Sequence, residues 1–151
     1  MMYKNALLRK TRMIIYTDSM ENIGRCMLGG FFVGWVNKPA PKTLLKVLRN
    51  SSYRWLAIDN KADKYRSKVV GFVTAISDGV LCAHISLLEV LPDYQKQGIG
   101  TELTKRMLET LKDSYMIDLL CDTDAQSFYS KHGMFRASGM TARNPHAIRN
   151  K

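Results

Sequence analysis

The chain has 151 residues, of which 46% are hydrophobic and 24% are charged, and this composition is typical of a folded globular protein. Its longest apolar stretches, such as 27–36, are too short and too rich in glycine to span a bilayer. The N-terminus lacks the apolar core of a signal peptide. We therefore expect one domain over residues 1–151, resident in the cytoplasm and without a membrane partner.

Basic residues outnumber acidic ones, 23 against 13, and the formal net charge is +10. This surplus suits a polyanionic or phosphorylated partner, but it also serves simple solubility. The basic residues are scattered, and no aromatic RNA-binding signature accompanies them, so nucleic acid is not the expected partner. Cys26, Cys82 and Cys121 lack metal-ligand spacing, so we predict reduced, buried thiols and no metal site.

The N-terminal part of the chain predicts a strand and two helices separated by a loop. A first strand is expected at 12–19, followed by a short helix at 19–30 that begins with Ser19 as N-cap and ends at two glycines. A glycine and two prolines predict an irregular aromatic loop at 31–41. The leucine spacing within 41–51 predicts an amphipathic helix.

The centre of the sheet is expected from a strand at 53–59, a charged turn at 60–68 and a β-hairpin at 69–91. Asp78-Gly79 between two apolar runs indicates the hairpin, because a type I′ turn needs positive φ at both central residues. The second strand of the hairpin is apolar almost throughout, which predicts burial on both faces.

The C-terminal part of the chain predicts two more helices and the last strands. Apolar residues at four-residue spacing indicate an amphipathic helix at 99–112. A strand at 116–122 precedes a short helix at 124–133, and the segment 134–142 would supply one or two final strands. The order of these elements predicts a mixed α/β fold.

The sequence QKQGIGT, residues 95–101, joins the hairpin to the helix that follows. The first N–H groups of a helix have no intrahelical acceptor and, with the positive end of the helix dipole, they bind phosphate. Gly98 and Gly100 lack the Cβ atoms that would keep an anion at a distance. The spacing is neither the Walker pattern nor the dinucleotide pattern, and a purely structural turn is the alternative. The side chains that would add donors at the rim are those of Gln95, Lys96 and Gln97.

The pattern Gln95-x-x-Gly98-x-Gly100 after LLEVLP resembles the acetyl-CoA signature of the GNAT N-acetyltransferases, which is Gln/Arg-x-x-Gly-x-Gly/Ala at a strand-to-helix junction. A second segment, DTDAQSFYSKHGM at 122–134, looks like the short helix of the family with its Phe-Tyr pair and closing glycine. The hairpin is also similar to the third and fourth strands of the family. The resemblance covers essentially the whole chain from Met13 onwards and extends to small bacterial-type members.

The resemblance implies a single-domain GNAT fold, with a mixed, mostly antiparallel sheet of six or seven strands and about four helices. The sheet would splay apart after its fourth strand, and the pantetheine of acetyl-CoA would lie in this wedge. There it would pair with the backbone of Leu88 and Val90, and the N–H of Leu88 would polarise the thioester carbonyl. The amides implied to hold the pyrophosphate are those of Gln97, Gly98, Ile99, Gly100 and Thr101.

Acetyl transfer requires a neutral amine, whereas an amine with a pKa of about 10.4 is neutral in only roughly one molecule in a thousand at pH 7. The candidates for a base are His84, Glu89 and a chain of water molecules. The ordinary pKa of histidine, about 6.5, suits reversible proton uptake, and strand alternation groups His84 with Ser86 and Leu88 until any bulge intervenes. A charge at Glu89 in an apolar strand calls for a function or for a structural ion pair.

Tyr129 matches the family tyrosine beside the CoA sulfur, so the resemblance implies that it donates a proton to the leaving thiolate. Packing against pantetheine alone is the other interpretation. Lys131 would meet a phosphate of CoA or be an ordinary solvated lysine. Asp122 departs from the usual asparagine of the family, and an ionised aspartate accepts hydrogen bonds but cannot donate them, which puts a cofactor contact there in doubt.

The family places the aromatic loop across the acceptor groove, which implies substrate binding by Phe31, Phe32 and Trp35, although these rings would also serve to cap the core. The expected function is acetyl-CoA-dependent N-acetylation of a primary amine, on a small molecule or peptide, by direct attack in a ternary complex. The enzyme would be a monomer or homodimer. A non-catalytic acyl-CoA-binding sensor or regulatory module is the alternative, and a basic nucleic-acid-binding domain is a third hypothesis.

Overall fold

The computed structural model describes residues 13–63, 66–144 and 147. Five strands form one sheet in the order β1-β2-β3-β4-β5; in chain order they are Ile14–Thr17, Tyr53–Asp63, Arg66–Ser77, Cys82–Val90 and Met116–Leu119. The α-helices are α1, Pro41–Asn50; α2, Ile99–Thr110; and α3, Gln126–Ser130. Strands β1 to β4 pair antiparallel, and β4 pairs with β5 in parallel. The predicted mixed, mostly antiparallel α/β fold is confirmed.

The two faces of the sheet carry different partners, because side chains alternate along β3. A Cβ atom on Gly71 would lie 3.1 Å from Leu103 and 3.2 Å from Ile99, so α2 packs directly on this face. On the opposite face, Phe72 packs edge-on against Phe31, with 4.9 Å between the ring centroids. The aromatic loop and α2 therefore lie on opposite sides of the sheet.

The helix predicted at 19–30 is wrong. Asn22 has a φ of +62°, which interrupts any helix, and the only helical geometry in this segment is a 3₁₀ turn at Arg25–Met27. Ser19 accepts a hydrogen bond from the N–H of Glu21 at 3.1 Å, two residues on, and so closes a local turn. The irregular loop and the helix that follow, predicted at 31–41 and 41–51, are confirmed.

The charged turn predicted at 60–68 is also wrong, because β2 and β3 extend into it. Residue Asp63 at the end of β2 pairs with Arg66 at the start of β3. The remainder of the predicted turn, residues 64–65, lies outside the described residues. Pairing between the two long strands outweighs the low strand propensity of these charged residues, since strand propensity depends strongly on context.

The hairpin at Asp78-Gly79 is confirmed, but its turn is not type I′. The loop between β3 and β4 has four residues, 78–81, and of these only Gly79 has positive φ, at +77°. The Asp78 carboxylate accepts hydrogen bonds from the N–H groups of Val80 at 2.9 Å and Leu81 at 2.8 Å. These bonds hold the pKa of Asp78 at about 2 and stabilise the wider loop.

The final strands predicted at 134–142 do not form, and the described residues contain five strands and three α-helices, where six or seven strands and about four helices were expected. The segment instead packs close to the end of β5. A Cβ atom on Gly139 would lie only 2.6 Å from the side chain of Leu120. This close approach occurs without ladder pairing.

The prediction that all three cysteines are buried is wrong, although all three are free thiols. Cys26 is exposed on the 3₁₀ turn that replaces the predicted helix, and Cys121 is exposed just beyond β5. Cys82 is half-buried at the start of β4. In the described part of the chain, no helix is long and apolar enough to cross a bilayer.

Candidate active site

The parallel strands β4 and β5 pair only at their beginnings. Their register runs from Cys82 opposite Met116 to Ile85 opposite Leu119, where β5 ends. β4 continues to Val90, so its second half extends beyond its partner on this side. The predicted splay after the fourth strand is thereby confirmed, and the backbone edge of β4 at 86–90 lies beside the resulting gap.

A β-bulge at Ser86 lies at the point where β4 ceases to pair with β5. In the register between β3 and β4, Thr74 opposes Leu87 and Ala75 opposes Ile85, so Ser86 is an additional residue in β4. Its hydroxyl lies 3.4 Å from the hydroxyl of Thr74. An extra residue reverses the alternation of side chains along the rest of the strand.

The bulge puts His84 and Glu89 on one face of β4 and Leu88 on the other. His84 opposes Ile76 and Glu89 opposes Phe72, and these two β3 residues share a face because an even number of positions separates them. The sequence-based grouping of His84 with Leu88 ends at the bulge. β4 is also less buried than predicted, because His84 is exposed.

The entrance of α2 has the geometry that an anion requires. Gly98 is its N-cap with φ +83° and ψ −1°, and nothing lies within 4 Å of the position that a Cβ atom would occupy. The first helical hydrogen bond runs from the N–H of Glu102 to the carbonyl of Gly98 at 3.0 Å. The N–H groups of Ile99, Gly100 and Thr101 therefore have no intrahelical acceptor and point towards the open side.

The loop that leads into α2 is closed by its own glutamines. The side-chain amide of Gln95 donates to the carbonyl of Val90 at 3.0 Å, and that of Gln97 donates to the carbonyl of Asp93 at 2.9 Å. Lys96 lies between them with a φ of +58° and an exposed side chain. The two glutamines predicted as rim donors thus fix the shape of the loop, and Lys96 presents its charge to solvent.

Helix α3 lies next to the entrance of α2. The Phe128 ring is 4.0 Å from the Cβ position of Gly100 and packs edge-on against Tyr129, with 5.0 Å between ring centroids. Burial raises the pKa of the Tyr129 hydroxyl, and the neighbouring Cys121 raises it further. Tyr129 is therefore protonated at neutral pH, as a proton donor must be. Lys131, just after α3, is exposed.

A cavity of about 430 Å³ lies between the end of β5, α3 and the segment 134–140. It brings together two of the three predicted catalytic side chains, His84 and Tyr129. Asp118 and Cys121 also line it. The predicted acid and one predicted base thus share one cavity, although strand β5 and helix α2 separate them in the chain.

Glu89, the other predicted base, lines a smaller pocket of about 100 Å³ with Phe31 and Gln95. Its carboxylate accepts a hydrogen bond from the N–H of Phe32 at 3.3 Å. Burial raises the pKa of Glu89, and this hydrogen bond partly offsets the rise. Glu89 forms no salt bridge within residues 13–63, 66–144 and 147, so the ion-pair interpretation is not supported there.

The aromatic loop divides between the core and the surface. Phe31 and Phe32 are buried against Phe72, whereas 41% of the surface of Trp35 is exposed. Phe32 adopts a φ of +60°, which is uncommon for a bulky residue. The rings of Phe31 and Phe32 therefore contribute to the core, Phe31 also lines the pocket of Glu89, and Trp35 is the most exposed of the three predicted substrate-binding rings.

Two charged residues of the large cavity were not predicted as site residues from the sequence. Asp118 pairs in register with His84, and Arg136 lies on the irregular segment after α3. The parallel register between β4 and β5 brings Asp118 to His84, and no local pattern in either strand encodes that register. Asp122, where the family usually has asparagine, is exposed beyond β5.

Comparison with known proteins identifies the family. Residues 21–134, most of the chain, match the sequence model of the acetyltransferase (GNAT) family. The chain belongs to this family. It is 33% identical over 126 residues to the protein named uncharacterized N-acetyltransferase ycf52 of Pyropia yezoensis, an alignment that covers 81% of this chain and 71% of that protein.

Solved GNAT-like structures share the fold described above. The crystal structure of a Deinococcus radiodurans R1 protein assigned to the acetyltransferases is 41% identical, with a TM-score of 0.82 over 87% of this chain and 89% of that one. The GNAT family protein SP0256 of Streptococcus pneumoniae TIGR4 is 29% identical, with a TM-score of 0.68 over 87% and 98% of the two chains.

Proposed function

We propose that this protein is an acetyl-CoA-dependent N-acetyltransferase. It transfers an acetyl group to the primary amine of a small molecule or peptide by direct attack in a ternary complex. The observation that carries the proposal is the gap where β4 extends past β5, together with the α2 entrance that follows β4 and the cavity that His84 and Tyr129 share. The whole chain, 1–151, would act as one domain.

The residues around the gap fit acetyl-CoA. The open side of Gly98 leaves room for a pyrophosphate on the free amides of α2, and exposed Lys96 and Lys131 add positive charge nearby. The backbone of Leu88 and Val90 would bind pantetheine along the β4 edge, and the N–H of Leu88 would polarise the carbonyl. When bound, acetyl-CoA supplies the activated acetyl group.

His84 is the better supported base. It shares the cavity with Tyr129, and its ring forms no hydrogen bond with any described residue, so a ring nitrogen is free to accept the proton of the attacking amine. The Glu89 carboxylate already accepts a hydrogen bond from Phe32 and lines a different pocket. Tyr129 gives its hydroxyl proton to the leaving sulfur, and Glu89 holds the aromatic loop in place.

A direct experiment tests this function. CoA should raise the melting temperature of the full chain, and release of CoA from acetyl-CoA should depend on a primary amine in a panel of amino acids, amino sugars, polyamines and peptides. CoA binding without turnover on any amine would instead favour the acyl-CoA sensor. Absence of CoA binding would contradict both.

Cytoplasmic residence is part of the proposal. Three free cysteines, two of them exposed, suit a reducing compartment. Fractionation of cells that express the tagged full chain checks it, and recovery of the protein in an organelle or membrane fraction would contradict it.

A further inference from the structure

Two charged side chains, Asp118 and Arg136, line the 430 Å³ cavity together with the imidazole of His84. His84 and Asp118 are register partners on adjacent parallel strands, so they stand side by side on one face of the sheet, about 4.8 Å apart at their backbones. Arg136 comes from a different element, the irregular segment after α3. The cavity therefore has an acidic side chain, Asp118, on the sheet and a basic side chain, Arg136, on the segment after α3.

Asp118 and Arg136 do not neutralise each other. They form no ion pair within 4.0 Å, and neither has a hydrogen bond with a described residue. A carboxylate and a guanidinium that face one cavity without pairing offer two separate binding points of opposite charge. A ligand with a cation at one end and an anion at the other matches both.

We propose that the acceptor is a small molecule that carries an acidic group, a carboxylate or phosphate, in addition to its primary amine. This inference rests on the proposed acetyltransferase function. Asp118 attracts the amine, which arrives as ammonium at neutral pH, and His84 beside it takes the proton. Arg136 binds the acidic group, for which the planar guanidinium offers paired N–H donors.

The size of the cavity and the charge of the chain support this acceptor class. A cavity of about 430 Å³ suits a small molecule. The net charge of +10 opposes the approach of a polycation such as a polyamine, whereas an amine with an acidic group carries no net positive charge.

Matched amines test the inference with saturating acetyl-CoA and the full chain. The pairs are phenylalanine with phenethylamine, and O-phosphoethanolamine with ethanolamine, so that the carboxylate and phosphate arms are separate. In at least one pair, kcat/KM for the acid-bearing amine should exceed that for its partner by about tenfold or more, as a charge-assisted bond provides.

Three variants and one control variant locate the effect. Arg136→Gln should reduce the preference for the acid-bearing amine to near unity, and Arg136→Lys should restore part of it. Asp118→Asn should lower kcat/KM for both members of a pair to a similar extent. Arg143→Gln, an exposed arginine further along the same segment and outside the cavity, is the matched control and should leave the preference unchanged.

The outcomes separate this inference from the function on which it rests. Equal use of acid-bearing and neutral amines, or a preference that survives Arg136→Gln, would overturn the inference and leave the acetyltransferase standing. If no amine is acetylated, the proposed function fails. Binding of the amines is then measured directly, from chemical-shift changes of the His84 ring as each amine is added. Binding of only the acid-bearing amines would support the inference, and equal binding or none would refute it.

Discussion

The Tyr94 hydroxyl donates a hydrogen bond to Oδ2 of Asp59 at 3.0 Å, and both residues are almost fully buried. Asp59 lies on β2, and its second oxygen accepts the N–H of Lys61 at 2.9 Å. Tyr94 immediately precedes the loop that leads into α2. This bond therefore ties the proposed phosphate-binding loop to strand β2.

Tyr94→Phe should weaken both folding and cofactor binding. Removal of the hydroxyl leaves a buried carboxylate oxygen without its donor, which costs about 1–3 kcal/mol in the free energy of unfolding. We also expect the Kd for CoA to rise when it is measured well below the melting temperature. Tyr53→Phe is the control, because the Tyr53 hydroxyl has no hydrogen bond with a described residue. An unchanged Kd would limit Tyr94 to a structural role.

Gly98→Ala should impair CoA binding, whereas Gly100→Ala should be tolerated. Gly98 has a φ of +83°, and a side chain in this conformation costs about 1–2 kcal/mol. Its Cβ atom would also project into the space proposed for the pyrophosphate. At Gly100 the nearest atoms to a new Cβ are 3.7 Å and 4.0 Å away, which is ordinary contact. Calorimetric titration with CoA compares the two, and equal affinities would contradict the proposed cradle.

Tyr129→Phe should lower kcat by about a hundredfold, because general acid catalysis contributes at least this much. The Kd for CoA should change little, because the ring contact with Phe128 is kept. Steady-state kinetics with an active amine measure the effect. Tyr115→Phe, at a tyrosine whose surface is 86% exposed, is the control. Wild-type kcat in Tyr129→Phe would leave the tyrosine with a packing role.

Glu89 should make the protein less stable as the pH rises. Burial raises its pKa in the folded state above the ordinary 4.5, so the folded state holds the proton more tightly than the unfolded chain does. This contribution to stability is complete below pH 4.5 and is lost as the pH rises through the folded pKa. Glu89→Gln, whose amide oxygen still accepts from Phe32, should remove the dependence. Urea unfolding of both proteins from pH 4 to pH 7 measures the difference, and parallel curves would contradict it.

Cys121→Ser should retain kcat within about twofold, because direct attack needs no acetylated enzyme. Cys121 is the thiol to test, because it is exposed and lines the same cavity as Tyr129. Mass spectrometry of the wild-type chain after incubation with acetyl-CoA alone gives a second readout. Acetylation at Cys121 combined with loss of turnover in the variant would show a two-step reaction instead.

Local sequence patterns predicted the parts of the site that depend on short stretches of chain. The strand that ends near Val90, the glycine at the entrance of α2 and the Phe128-Tyr129 pair on α3 each follow from residues close together in the sequence. Strand alternation and the residue types at a helix entrance are local features, so they can be predicted without a structure.

The features that could not be predicted depend on how distant segments pair. The bulge at Ser86 follows from the register between β3 and β4, and the position of Asp118 beside His84 follows from the register between β4 and β5. The helix predicted at 19–30 failed because Asn22 adopts a left-handed conformation, which the predicted N-cap at Ser19 does not indicate. The two strand registers are fixed only when the whole sheet assembles.

The additional residue at Ser86 has a kinetic consequence. His84 faces away from α2, whereas the glycine-led entrance of α2 opens on the other side of β4, so the two reactants would reach the gap by separate routes. Neither would block the path of the other. Product inhibition should then show CoA competing with acetyl-CoA alone, and the acetylated product competing with the amine alone, as in a mechanism where either partner can arrive first.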